Sequence, residues 1–405
     1  MISSSFSLFL DKWATAFKCV FGLLCLVSVS WSAANQATHN SSNNKPFTPS
    51  TQFHSATIVG KWLTESNGEY MQDPQTSGLT VVGDKMYSVS DASALEHQIR
   101  RLHVINKNTA VIDTTLGPIE IAPHVANASC FADYLNTRPD YEALVAIPGQ
   151  TNQWLIVTED GTRGSKIEGE CFDQFANNNF TRYPALIAKL EVINKTLLLT
   201  GVRAIEFDAL DNIDKRGLGQ NIENDGIEGL AFTRDNRLLF GIEQDASAAA
   251  RVFEIAYSPD MFDTLDSFLK VTDSNLLFPS SMSLINPING MDVYYPSADS
   301  EGYLIAVARN NDQLWILDLA KQRPAIIVDL ILYAPSDAKC GKGTSHKMRN
   351  SALEGLAVDG ERLFLINDPW RQQYPNNATC IYDKPRYEEF TPLLFELAIN
   401  PMWFK

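Results

Sequence analysis

The sequence predicts an all-β fold, and three observations lead to this prediction. Short apolar runs alternate with turns rich in Gly, Asp and Asn along most of the chain. The same hairpin-like pattern recurs five times, and no helical pattern of any length interrupts it. Together these features are typical of a five-bladed β-propeller of four-stranded antiparallel blades.

Each repeat has a polar residue, a small residue, an apolar run, a turn, a second apolar run and a closing polar residue. The five repeats begin at Ser77, Glu142, Glu228, Asn289 and Glu354. Third apolar runs follow from Arg100, Ala185, Arg251, Gln313 and Pro392, and fourth runs from Thr196 and Pro324. Strands of this length bounded by turn formers predict antiparallel sheets.

The fifth repeat lacks a fourth run, and the N-terminal run TQFHSATIVGKWL from Thr51 is free to supply it. An N-terminal strand in that place would close the ring and remove two exposed sheet edges. The alternative fold is one or two β-sandwiches, whose strands would not repeat one opening motif at this period.

The chain divides into a predicted signal peptide over residues 1–34, a polar linker over 35–50 and a single propeller domain over 51–405. Lys12 and Lys18 precede a short apolar run that ends in small residues near Ala34. The run is too short to span a bilayer comfortably, although an uncleaved anchor remains the alternative. We therefore expect a periplasmic or secreted protein without stable membrane insertion after cleavage.

The net charge and the cysteine content restrict which partners and which kinds of site we expect. The formal net charge of −15 disfavours nucleic acid as a partner, and we expect a monomer. Four cysteines follow the predicted signal peptide, none with CxxC spacing, so two disulfides are expected rather than a zinc site. Nearest-neighbour pairing, one of three connectivities, gives Cys130 with Cys171 and Cys340 with Cys380.

The residues that open the repeats predict a metal site. In a propeller the first strand of each blade lines the axis, so five oxygen-bearing side chains converge there. Converging carboxylates repel one another unless a cation lies between them, and oxygen ligands suit Ca²⁺. The predicted ligands are Ser77, Glu142, Glu228, Asn289 and Glu354. Alternatively, these acids only cap strand ends.

The EGLA units in an exported propeller resemble the phytase-like family, also described as "esterase-like activity of phytase". The opening series also resembles that of the calcium-activated nucleotidases (apyrases), and SGLTVVGDKMYSVSD is the best local match to them. This resemblance implies a five-bladed propeller, one central calcium held by Ser and Glu, and phosphoester hydrolysis. Asn289 departs from the hydroxyl of the nucleotidase pattern.

A basic segment, CGKGTSHKMRN, enters the fifth repeat and contrasts with the acidic background. We expect it at the carboxylate mouth, where basic groups beside a cation would bind an anionic substrate such as a phosphate ester. The predicted substrate-binding residues are Lys342, Lys347, Arg349, Arg309 and Arg371; the alternative is a set of solvated loop charges. The predicted catalytic residues are Glu243 and Asp368, as bases, and His346.

The sequence is compatible with three function classes. The first is a calcium-dependent phosphoester hydrolase. The second is a non-catalytic propeller with structural calcium that binds a protein or glycan. The third is a glycosidase with paired carboxylates; Trp154, Trp315 and Trp370 would favour sugar binding if they lined the mouth.

Overall fold

The structure is a computed structural model that describes residues 51–113, 116–159, 169–175, 184–208, 226–243, 249–265, 267–279, 287–341 and 343–404. Residues 49–405 form one compact unit. The predicted signal peptide and linker, as well as Lys342, lie outside the described residues.

Most regular structure in the described residues is β-strand, in agreement with the predicted all-β class. The N-terminal strands are β1 (Gln52–Val59) and β2 (Lys61–Trp62). The first repeat forms β3 (Thr76–Val82), β4 (Lys85–Ser90), β5 (His103–Asn106) and β6 (Ile112–Asp113). A short strand, β7 (Glu120–Ile121), precedes the second repeat, which forms β8 (Tyr141–Ala146), β9 (Gln153–Thr158), β10 (Leu186–Ile193) and β11 (Thr196–Phe207).

The later repeats follow the same order. The third forms β12 (Ile227–Phe232), β13 (Arg237–Ile242), β14 (Arg251–Ala256) and β15 (Leu269–Asp273). The fourth forms β16 (Ile288–Tyr294), β17 (Tyr303–Ala308), β18 (Gln313–Asp318) and β19 (Ile326–Pro335), followed by β20 (Ser345–Lys347). The fifth forms β21 (Leu353–Asp359), β22 (Arg362–Asn367) and β23 (Leu393–Ala398).

Helices in the described residues are short and lie in the connections between strands. The α-helices are α1 (Pro123–Ala128), α2 (Ala132–Asn136), α3 (Gly169–Phe175) and α4 (Lys384–Glu388). The 3-10 helices are Pro259–Phe262, Arg309–Asn311, Ala338–Cys340, Tyr374–Asn377 and Pro401–Phe404. Among the described residues, no helix has the length and apolar character required to cross a membrane.

Within each repeat, the first strand pairs antiparallel with the second and the second with the third. The five first strands then contact one another in a closed cycle: β3 with β8, β8 with β12, β12 with β16, β16 with β21, and β21 with β3. We call these five strands the inner ring. The architecture is therefore propeller-like.

The hydrophobic core follows the same cycle, because each of five buried clusters joins two neighbouring repeats. The cluster between the fifth and first repeats contains Phe364 and Ile366 from one and Met86 and Ile105 from the other. Since apolar burial is the main favourable term in folding, this cluster holds the last repeat to the first.

Two pairings differ from the expectation of separate four-stranded blades. The N-terminal run is divided: Lys61–Trp62 pairs with β23 and completes the fifth sheet, whereas Gln52–Val59 pairs in parallel with β19 of the fourth repeat. In addition, the C-terminal part of β11 pairs in parallel with β15, so the second and third repeats share one nine-stranded sheet. Both pairings use an otherwise open sheet edge.

Two disulfides are present, and they match the nearest-neighbour prediction: Cys130–Cys171 and Cys340–Cys380. The first ties α3 to the segment between α1 and α2, where Phe131 and Phe175 pack with ring centroids 4.9 Å apart. The second ties the basic segment to the loop after β22, as the sequence predicts. Structural disulfides of this kind are typical of oxidising compartments.

Candidate functional site

A β-bulge occurs at the same point of every inner-ring strand. The pairing register shifts between Ser77 and Thr80, Tyr141 and Ala143, Ile227 and Gly229, Ile288 and Met291, and Leu353 and Gly355. In three repeats the residue skipped by the ladder is the opening glutamate: Glu142, Glu228 or Glu354. A bulge redirects a side chain at the end of a strand. The sequence analysis did not predict this bulge, although each repeat carries a signal for it: a polar residue followed by a small one within an apolar run.

The small residue in each repeat allows neighbouring inner strands to approach closely. A Cβ added at Gly290 would lie 2.5 Å from the backbone oxygen of Glu354, and one added at Gly78 would lie 2.7 Å from the backbone nitrogen of Leu144. Gly78 also has a φ of 59°, which glycine adopts without strain. These contacts bring the opening residues of adjacent repeats near one another.

The residue after the second strand also occupies one position in every repeat. The backbone N–H groups of Asp91, Glu159, Glu243 and Asp368 donate to carbonyls at 2.8–3.1 Å. In each case the acceptor, Gln75, Asp140, Gly226 or Ala352, lies two residues before the opening polar residue. In the fourth repeat Ile288 pairs with Ala308, so Arg309 takes the position of the acids. The fourth repeat therefore has a guanidinium at the position where the other four repeats have a carboxylate.

Four glutamates form what we call the carboxylate cluster: Glu142, Glu159, Glu228 and Glu243. Single carboxylate oxygens of Glu159, Glu228 and Glu243 lie within 4.8 Å of one another, and those of Glu142, Glu159 and Asp140 do the same. Glu159 therefore joins two groups of three acids. Sequence analysis predicts neither Glu159 nor Asp140 as a ligand: Asp140 precedes the repeated motif, and the approach of Glu159 to Glu228 and Glu243 depends on contacts between repeats.

Asn289 and Ser77 complete the opening series. Asn289 is fully buried, and its Nδ2 donates to Glu228 Oε2 and Glu243 Oε1, each at 3.5 Å. Ser77 is buried at the corresponding position of β3. The structure thus gathers polar side chains from all five repeats at one end of the inner ring.

Arg309 forms ion pairs with two further acids at this end of the ring, Glu354 and Asp368. Its Nη1 lies 2.5 Å from Glu354 Oε1, and its Nη2 lies 3.8 Å from Asp368 Oδ2. Glu354, a predicted metal ligand, is therefore held by a guanidinium, and Arg309, a predicted substrate-binding residue, lies among the acids. Its position follows from the packing of the fourth repeat against the fifth, whose first strands contact each other.

The electrostatic environment raises the pKa of the buried acids. Burial is the largest cause of a raised pKa for Glu142, Glu228 and Glu354, and neighbouring carboxylates raise it further. Arg309 lowers the pKa of Glu228 and Glu354 against this effect. The pKa of Asp368 rises to about 7, through burial and the charge of Asp91, with Arg309 opposing.

Arg309 shows the reciprocal effect. Burial alone would lower its pKa, but the charges of Glu354, Asp368, Glu228 and Glu243 raise it. The guanidinium is therefore charged, and it partly compensates the acids. One cation does not balance the four glutamates of the cluster together with Glu354 and Asp368.

Three buried oxygens at this end of the ring have no hydrogen-bond partner among the described residues: Asn289 Oδ1, Glu354 Oε2 and Asp368 Oδ1. Buried acceptors are normally satisfied. A cation held between Asn289 and the carboxylate cluster would satisfy the amide oxygen, and a donor set of carboxylates with one amide oxygen fits a hard divalent ion.

The basic segment contacts the outer part of the fourth repeat and the loop after β22. His346 and Lys347 are in β20, which pairs with the outer strand β19, and the His346 ring bonds Ser336 and Tyr387, each at 2.7 Å. The backbone N–H of Arg349 donates to Asn377 Oδ1 at 2.8 Å. These contacts fix the described part of the segment to the fourth sheet and α4, and the substrate-binding role of Lys347 and Arg349 stays a prediction.

Arg371 is the predicted substrate-binding residue at the rim. It binds Asp73 with a shortest distance of 2.7 Å, and its charge lowers the pKa of Asp368. Trp370, directly before it, is 44% exposed, whereas Trp154 and Trp315 are fully buried in the core. Of these three tryptophans, only Trp370 is therefore accessible to a ligand.

No known protein family matches the chain, and no curated protein matches it. Solved structures with a similar fold include the major allergen Mala s 1 of Malassezia sympodialis, at 10% identity over 81% of this chain and 94% of that chain, with a TM-score of 0.43. Another is glutaminyl cyclase of Myxococcus xanthus, at 11% identity over 77% and 93%, with a TM-score of 0.38. A third is the α-L-arabinanase of Penicillium chrysogenum complexed with arabinobiose, at 8% identity over 85% and 98%, with a TM-score of 0.39. At this similarity none of them decides the activity or ligand of this chain.

Proposed function

We propose that the protein is an exported five-bladed β-propeller that binds Ca²⁺ at one end of its inner ring. The cyclic packing of five first strands and the five inter-repeat clusters support the blade count. The two disulfides support export to a periplasmic or extracellular compartment.

The observation that carries the calcium proposal is the carboxylate cluster. Oxygens of its members lie within 4.8 Å of one another in two overlapping groups. At an effective dielectric constant of about 20, two unit charges at such a distance repel by about 3–4 kcal/mol. A divalent cation removes this repulsion, and oxygen-only ligands in a flexible number favour calcium over zinc or copper.

The proposed ligands are Glu142, Glu228 and Asn289, as the sequence predicts, together with Glu159 and Glu243. Ser77 remains a candidate ligand from the first repeat. Glu354 contributes negative charge but is held by Arg309.

The test begins with metal analysis of the purified full-length protein, followed by calcium titration of chelator-treated protein monitored by calorimetry. We expect one tight site per chain, and markedly weaker binding in Glu228→Gln. Asp329→Asn is the control, because Asp329 is exposed and accepts a hydrogen bond from Gln313. Absence of calcium binding, or unchanged binding in Glu228→Gln, would refute the proposal.

A second candidate activity is hydrolysis of phosphoesters at the rim of the same site. It is favoured by Asp368, which interacts electrostatically with both Arg309 and Arg371 and has one oxygen without a hydrogen-bond partner among the described residues. Asp368, or Glu243, would accept the proton of an attacking water, while Arg371 would bind a phosphate oxygen. A bound divalent cation supplies Lewis-acid chemistry in such sites.

A phosphate-release panel, with calcium and with chelator, tests this activity. We expect calcium-dependent release that is lost in Asp368→Asn while calcium affinity is kept. Calcium binding without any release would instead favour a non-catalytic propeller. Release of sugar from oligosaccharides in the presence of chelator would favour a glycosidase with paired carboxylates.

A further inference from the structure

A cavity of about 450 Å³ lies at the other end of the inner ring. All five inner strands line it, through Thr80, Val145, Phe232, Asp292 and Val358. These residues follow the opening polar residues of their strands by three or four positions. At about 3.3 Å per residue, the cavity is therefore roughly 10 Å or more from the carboxylate cluster along the strands. We call it the distal cavity.

Asp292 is the one charged residue among the described residues that line the distal cavity. Its Oδ1 accepts the backbone N–H of Val293 at 2.7 Å, and its Oδ2 accepts that of Val358, on the neighbouring strand β21, at 2.8 Å. The carboxylate is thus fixed between two inner strands.

No cationic side chain in the described part of the protein forms an ion pair with Asp292. Burial raises its pKa to about 6, and the two backbone hydrogen bonds oppose the rise. The group is therefore ionised at neutral pH but incompletely compensated, and each carboxylate oxygen can accept a further hydrogen bond. A half-buried carboxylate without a counter-ion favours a ligand that brings a positive charge.

The rest of the lining decides which kind of cation fits. A metal ion in a protein usually takes several oxygen ligands, and one carboxylate already bonded to two N–H groups does not supply them. Apolar residues, including Val81, Val145, Phe232 and Val358, line the cavity together with the polar residues Thr80, Gln150 and Thr151. Such a lining suits an organic group with an apolar body.

We propose that the distal cavity binds a primary ammonium group carried on a short apolar chain, with Asp292 as its counter-ion. This site is separate from the calcium site and does not depend on it. The ammonium group donates to the free lone pairs of the carboxylate, and the chain contacts the valines and Phe232.

The test is ligand-observed NMR titration of the full-length protein with n-butylammonium, with 1-butanol as the neutral match. Chelator is present throughout, so that failure of the calcium proposal does not affect the result. We expect saturable binding of the ammonium and binding of the alcohol that is roughly tenfold weaker or less, because a tenfold change corresponds to about 1.4 kcal/mol.

Two variants and one control make the test specific. Asp292→Asn removes the charge, and Gln150→Trp places a bulky ring at an exposed position of the cavity lining while leaving both hydrogen bonds of Asp292 in place. We expect both to lose binding roughly tenfold or more, and the control Asp329→Asn to bind as the unaltered protein does. Equal binding of the alcohol, unchanged binding in Asp292→Asn, or no saturable binding would overturn the proposal. If Asp292→Asn does not fold, retention of binding in Gln150→Trp overturns it.

Discussion

Replacing Arg309 by Gln tests the electrostatic arrangement at the carboxylate end of the ring. Arg309 contacts Glu354 at 2.5 Å and Asp368 at 3.8 Å, and its side chain is only 23% exposed. The substitution leaves both acids buried without their counter-ion. Removing one partner of a buried ion pair typically costs about 3–5 kcal/mol. For a domain of this size that loss corresponds to a decrease in melting temperature of roughly 4–7 °C.

The assay is urea unfolding of the chelator-treated protein, followed by tryptophan fluorescence with the disulfides intact. Lys384→Gln is the control, because the ion pair of Lys384 with Glu388 is exposed on both sides and such pairs contribute about 0–1 kcal/mol. We expect saturating calcium to reduce the loss in Arg309→Gln, since Glu228 and Glu243, which also interact electrostatically with Arg309, are proposed calcium ligands. A loss below about 1 kcal/mol in chelator would refute this account of the site.

Three further predictions follow from the structure. Gly290→Ala should lower the free energy of unfolding by at least about 3 kcal/mol, because a Cβ there meets the backbone oxygen of Glu354 at 2.5 Å. The control Gly117→Ala, whose Cβ would have no described atom within 4 Å, should change it by under about 1 kcal/mol in the same urea assay. Replacing Cys340 and Cys380 by Ala should cost about 2–5 kcal/mol, and a melting temperature equal to that of the unaltered protein would contradict this. Without metal, the protein should be more stable at pH 5 than at pH 8. The buried acids at the site have a higher pKa in the folded than in the unfolded state, so the folded state loses stability as pH rises from about 4.5 through about 7. Equal urea midpoints at the two pH values would exclude this effect.

Local sequence patterns predicted the strands well. The run EGLAFTRDNRLLFGI forms β12 and β13, and the third run RVFEIAY contains β14. Such hairpins depend on neighbouring residues, turn formers and period-two apolar patterning, all of which are visible in the chain. The cysteine pairing was also correct, because each pair spans a short separation.

The pairing of strands that lie far apart in the chain was harder to predict from the sequence. The run from Thr51 reads as one strand, yet Gln52–Val59 joins β19 and Lys61–Trp62 joins β23. Either edge accepts an extended segment, and only the geometry of the assembled sheets decides which residues reach it. The contacts of the basic segment were not predicted for a related reason, since β20 turns back along β19.

The sequence by itself determined the five repeated hairpins, the acids that open or close most of them, and the cysteines available for pairing. Only the tertiary structure decided that Glu159 lies between two groups of acids, that Arg309 holds Glu354, and that Asp292 lines a cavity and has no ion-pair partner among the described residues. The physical reason is that strand formation depends on residues close in the chain. Charge compensation, in contrast, depends on which side chains ring closure brings within a few ångströms of one another.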